Sequence, residues 1–156
     1  MALGATEGER EAAMQVFEAM TPEVVSVLPD TTIVDAALVM KNLDIGPLPV
    51  VDAGRLVGVI TDRDITVRAT AEGLDPLTTH VSDVMTREVV ACREDDDVRH
   101  AAQLMQDVQL RRLLVVDDSG NLTGIVSIGD LALQTGDDKL SGHTLEKVSE
   151  PASWTR

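Results

Sequence analysis

The sequence predicts an α/β (α+β) fold made of two copies of one β-α-β-β-α unit. Three observations predict it. The chain repeats itself, each copy sets one helical stretch among short apolar runs, and each copy closes with the same strand-to-helix junction. A shift of 65 residues lays Val16–Asp52 on Val81–Asp117 with 14 identities in 37 pairs. Chance gives about two or three at average residue usage. After Asp52 the shift becomes 66, because Asp118 adds one residue to a turn, and Gly54, Leu56, Gly58 and Asp64 then meet Gly120, Leu122, Gly124 and Asp130. The register holds through turn and helix positions alike, which generic periodicity does not produce.

Within the first copy, Val24–Val27 is a short apolar run and reads as a strand. Asp30 then offers a carboxylate to the free N–H groups of a helix start. Ile33, Ala36, Ala37, Met40 and Leu43 recur on one helical face, as do Val98, Ala101, Ala102, Met105 and Val108 in the second copy. Gly46-Pro47-Leu48-Pro49 punctuates, and Val50-Val51 begins a second strand. Ala53-Gly54 turns the chain, Leu56–Ile60 returns as a strand, and Thr61 leads into a further helix. Asp117–Gly120, Leu122–Val126 and Ser127 repeat that pattern. One copy cannot cover its own sheet, so the two are expected to pack as a pseudo-two-fold pair. The organisation expected is an N-terminal arm at 1–15, repeats at 16–70 and 81–135, a linker at 71–80, and a polar tail at 136–156, mobile or docked on a partner.

Composition narrows the function. A formal net charge of -14 repels phosphate backbones and argues against non-specific nucleic-acid binding. An anionic ligand must therefore be held by local geometry. Aromatic residues make up 1% of the chain, Phe17 and Trp154 alone, so a bound base has aliphatic side chains and proline to lie against. The single Cys92 excludes an internal disulfide and fits a reducing, cytoplasmic setting. No basic cluster followed by an apolar stretch opens the chain, so no signal peptide is expected. The apolar runs are too short to span a bilayer.

The candidate site is the junction itself. Gly58-Val59-Ile60-Thr61-Asp62-Arg63-Asp64 and Gly124-Ile125-Val126-Ser127-Ile128-Gly129-Asp130 both read glycine, two apolar residues, a hydroxyl, two more residues and Asp. The glycine permits close approach by a ligand or by a second backbone. Helix N-terminal N–H groups attract phosphate, and an Asp held there can accept from two ribose hydroxyls. Arg63 is placed to reach a phosphate. A hydroxyl and a carboxylate three residues apart also form a helix-capping pair, and caps duplicate as readily as sites.

These residues resemble tandem CBS domains, the arrangement called a Bateman module. The resemblance rests on Gly46-Pro47-Leu48-Pro49-Val50-Val51-Asp52 ahead of the hairpin and on the junction motif in both copies, and it covers residues 16–133. Asp44–Pro49, Thr61–Ile65 and Ala71–Pro76 are further similar to small stand-alone actinobacterial CBS proteins of the hypoxic-response type. The resemblance implies AMP, ADP, ATP or S-adenosylmethionine in the cleft between the repeats, as a regulatory ligand with no required cofactor. It places Thr61 and Asp64, and likewise Ser127 and Asp130, on the ribose. It sets the base against backbone at Val25 and Ser26, or Val90 and Ala91, with Ile45 or Pro47 as an aliphatic wall. It also implies a homodimer.

The second copy departs from the pattern. Gly46-Pro47-Leu48-Pro49 becomes Arg111-Arg112-Leu113-Leu114. That loses the glycine and both prolines but adds two cations, which either serve a ligand's phosphates or stand solvated at a strand start. The better site is expected on the first repeat. His80, His100 and Cys92 match no chelating spacing, so no metal is expected. No catalytic constellation stands out, and the repeats leave no room for a catalytic domain. The reading is a non-catalytic nucleotide-binding module. The alternative is a ligand-free dimer that acts as a protein-interaction adaptor in stress or dormancy.

Overall fold

The structure, a computed structural model, describes residues 14–136 and 138–148. In chain order the elements are α1 (Val16–Ala19), β1 (Thr21–Pro22), α2 (Ile33–Leu43), β2 (Leu48–Asp52), β3 (Arg55–Ile60), α3 (Asp62–Asp64) continued by a π-helical stretch Ile65–Thr70, α4 (Val81–Val84), β4 (Ala91–Arg93), α5 (Val98–Val108), β5 (Arg112–Val116), β6 (Leu122–Ser127), α6 (Ile128–Thr135) and α7 (Asp138–Val148). This is a mixed α/β chain in which each repeat supplies a central helix, a hairpin and a closing helix.

The chain forms two compact units, and these do not coincide with the sequence repeats. One unit takes the described residues up to Glu23 together with Ala91–Asp118 and those from Thr123 onward; the other takes Val24–Val90 and Ser119–Leu122. In the first unit the sheet order is β1-β6-β5-β4. β1 lies antiparallel to β6, with Thr21 opposite Ile125 and Pro22 opposite Gly124, and β4 runs parallel to β5. The second unit builds the same order in shorter form. Thr86 bridges Val59 of β3, β3 pairs antiparallel with β2, and Val50 of β2 bridges Val27 in parallel. Each repeat thus delivers its leading helix and the residues after it to the sheet that carries the other repeat's hairpin.

The glycine heading each junction has its explanation here. A Cβ on Gly58 would stand 2.9 Å from the Thr86 carbonyl oxygen and 2.7 Å from Met85 Sδ; on Gly124 it would stand 2.8 Å from the Thr21 oxygen and 2.6 Å from Met20 Sδ. Of the two roles open to these glycines, the close approach of a second backbone is the one observed.

Three local expectations shift. The strand read at Val24–Val27 reduces to a single bridge: Val27 N donates to Pro49 O at 3.0 Å, and Val51 N donates to Val27 O at 2.9 Å. Val25 and Ser26 are exposed, so they have no sheet face to bury. The helix caps are Thr32, whose hydroxyl accepts from Asp35 N, and Asp97, which accepts from Arg99 N. Asp30 lies in the turn two residues upstream of Thr32, too early to cap a helix that begins at Ile33. β2 begins at Leu48 and so contains Pro49. Its missing N–H costs nothing there, because Val59 opposite exchanges its own N–H and C=O with Thr86, at 2.9 Å each.

Each unit has its own apolar core. Ile33, Ala36, Met40, Leu48, Val50 and Ile60 are central to one, and Val98, Ala101, Ala102, Met105, Leu113 and Val115 to the other. Cys92 is 2% exposed in β4. Burial, and then the negative charge of Asp96, pushes its thiol from an ordinary 9.0 up to about 12. The folded protein is therefore expected to resist maleimide at pH 8 and to react once unfolded in urea. The folded thiol keeps its proton where the unfolded one loses it, so Cys92 contributes falling stability as pH rises above 9.0. Urea midpoints at pH 8 and pH 10, compared between wild type and Cys92→Val, check the sign.

The segment read as a polar tail contains a helix. α7 packs on α5 and α6, and Thr144, fully buried, accepts from Gln106 Nε2 at 3.1 Å. A contact made through a hydroxyl leaves no apolar periodicity to read. The expected arm at 1–15 falls mostly, and the last eight tail residues fall wholly, outside the described residues.

Candidate functional site

Both junctions fold into the same local structure. Thr61 N donates to Asp64 Oδ2 at 3.0 Å and Asp64 N to Thr61 Oγ1 at 3.0 Å. Ser127 N donates to Asp130 Oδ2 at 2.8 Å and Asp130 N to Ser127 Oγ at 3.1 Å. The capping role is thus real in both. It consumes one carboxylate oxygen of each Asp and leaves Oδ1, so capping and ligand binding do not exclude each other.

The two remaining oxygens differ. Asp64 is 8% exposed. Its Oδ1 stands 3.7 Å from Arg68 Nε and 3.4 Å from the Thr86 hydroxyl, which is long for a hydrogen bond. Arg68 also donates to the Met85 carbonyl at 3.2 Å. Among the described residues Asp130 Oδ1 has no such partner. Arg68 is one turn after Asp64, a spacing visible in the sequence; Thr86 reaches the site only through the fold.

The expected residues beside the junctions assemble in part. Gly46 lies against Asp62, where a Cβ would meet Asp62 Oδ1 at 3.1 Å, so this glycine makes room for the first turn of α3. Arg63 is exposed on that turn, and Ile45 and Pro47 are exposed ahead of β2. Val25 and Ser26 lie on the exposed segment entering Val27; Val90 is exposed just before β4, and Ala91 opens it.

On the second repeat the residues converge on a cavity of about 560 Å³ lined by Arg111, Arg112, Ser127, Ile128, Gly129, Ala132, Gly142 and Leu145. Ile128 N donates to Arg111 O at 3.1 Å, which fastens the arginine segment to the start of α6. The lining therefore brings two arginines and the first turn of α6, with Ser127 at its cap, together with an apolar wall from Ile128, Ala132 and Leu145. Such a lining suits an anion that carries an apolar body. Gly142 and Leu145 were not foreseen, since nothing in the sequence sends a tail residue to this place.

Among the described residues no group of three or more His, Cys, Asp or Glu side chains is arranged to hold a metal ion. No helix among them is long and apolar enough to cross a membrane.

The family model of the CBS domain matches twice, at residues 15–69 and 81–134. The CBS domain-containing protein YhcV of Bacillus subtilis (strain 168) is 43% identical over 134 residues, which are 86% of this chain and 94% of that protein. The crystal structure of Hypoxic Response Protein I with two coordinated zinc ions superposes with a TM-score of 0.69 at 31% identity, over 77% of this chain and 98% of that one. The crystal structure of CBSX2 in complex with AMP does so with a TM-score of 0.67 at 32% identity, over 80% and 98%. With both repeats matched, and with a relative similar along nearly its whole length, the chain belongs to the CBS-domain family.

Proposed function

We propose that this chain is a non-catalytic regulatory module that binds an adenine nucleotide at the junction of the second repeat. The observation that carries the reading is the cavity of about 560 Å³ in which Arg111, Arg112 and Ser127 meet at the start of α6. Its size falls within the range of small-molecule sites, roughly 300–1,000 Å³. A chain of net charge -14 needs local cations to hold an anion, and the two arginines supply them. Asp130 Oδ1 accepts from the ribose hydroxyls while Oδ2 keeps the cap. The base lies on aliphatic surface, in keeping with the scarcity of rings and with the AMP held by CBSX2.

Thr61 and Asp64 form the equivalent site on the first repeat, with Gly46, Pro47 and Arg63 beside it. Sequence alone favours that copy, because it keeps the glycine and prolines. The cavity, and the partners already drawn to Asp64, favour the second. The bound nucleotide shifts the module's shape or its affinity for a partner, with a cytoplasmic homodimer as the working form.

Thermal unfolding with AMP, ADP, ATP and S-adenosylmethionine tests this. A nucleotide at 100 times its dissociation constant adds about 2.7 kcal/mol, a shift of several degrees. No rise with any of the four replaces this reading with the ligand-free interaction adaptor.

A further inference from the structure

We propose that α7, which lies beyond the residues matched to the CBS domain, is a wall of the second-repeat site, and that Gly142 sets the room available to the ligand. The inference rests on the nucleotide-binding reading and adds to it the residues that limit ligand size.

Gly142 and Leu145 are one helical turn apart, so they share a face, and both line the cavity with Arg111, Arg112 and Ser127. The opposite side of α7 is fixed, since Thr144 is fully buried and bonded to Gln106 of α5. A glycine inside a helix weakens it relative to alanine. Packing does not require this one: a Cβ built on Gly142 meets nothing within 4 Å. Gly58 and Gly124 are the contrast, because there a Cβ would collide with a backbone oxygen. Gly142 thus gives up helix stability at a point where the protein itself makes no use of the space, and that point is the cavity wall. A side chain there would project into the volume a ligand fills.

The test is a size series in the full chain, Gly142→Ala, Gly142→Leu and Gly142→Phe, with the exposed neighbour His143→Leu as control. AMP affinity is measured by titration calorimetry and folding by thermal melting. Alanine is expected to weaken binding least of the three, and the His143 control to bind as wild type does. Leucine and phenylalanine are expected to weaken binding at least about ten-fold, in order of size, with melting unchanged or raised. Wild-type affinity in the leucine and phenylalanine variants overturns the inference and leaves the nucleotide reading standing. A marked fall in melting temperature in the leucine variant also overturns it, since the space would then be needed by the fold. No AMP binding by wild type overturns both.

Discussion

Alanine at Gly58 or at Gly124 is expected to cost about 2–3 kcal/mol, read as a lower urea midpoint at unchanged slope. The added methyl would stand 2.9 Å from the Thr86 oxygen in one case and 2.8 Å from the Thr21 oxygen in the other. Neither neighbour can yield cheaply. Thr86 is held on β3 by two hydrogen bonds of 2.9 Å with Val59, and Thr21 belongs to β1, paired on β6. Moving them away gives up the bonds that close each sheet. Gly129→Ala is the control, since its Cβ meets only Ser127 Oγ, at an ordinary 3.6 Å, and lies in the first turn of α6. That variant is expected to be neutral or slightly stabilising. Equal losses at all three positions would show that the effect is not the backbone contact.

The largest functional effect is expected from Asp130→Asn, with AMP affinity falling about 10- to 100-fold. The substitution keeps the size and one carbonyl oxygen, so Ser127 N retains an acceptor and the cap survives. The outward oxygen becomes an NH2 group, which cannot accept from ribose hydroxyls. Asp64→Asn is expected to change affinity less, because Arg68 and Thr86 already stand beside that carboxylate. Calorimetric titration of both variants, with melting curves to verify folding, checks the order. The reverse order would return the principal site to the first repeat.

The fold was legible because the repeat was. Identities such as Met20 with Met85 and Leu48 with Leu113 fixed the copy number and the register, and each hairpin followed from apolar runs around a turn. The delivery of each leading helix to the other repeat's sheet was not legible, since both copies of a repeat fit either sheet equally well. The glycine signal was seen but its use was open: sequence shows that Gly58 admits something close, and only the fold shows that it is Thr86. Asp30 suits a cap by residue type, but so does Thr32, and only the start at Ile33 shows that Thr32 is the cap.

The site was legible at its centre and not at its edge. Ser127, Asp130, Arg111 and Arg112 came from motif and alignment, and three of the four line one cavity. Leu145 and Gly142 did not, because α7 is held in place by Thr144 and Gln106, a pair without hydrophobic patterning. The loss of the glycine and both prolines weighs against the second site in the sequence, whereas the arginine pair is open to two readings there, a phosphate contact or a solvated strand start. In the structure both arginines line the cavity that Ser127 also lines, at the start of a helix.

The most direct measurement is an amide-resolved NMR titration of the protein with AMP. The account predicts saturable shifts centred on Arg112, Ser127–Ala132, Gly142 and Leu145. Saturable shifts confined to Thr61–Asp64, or no saturable shift at millimolar AMP, would contradict it.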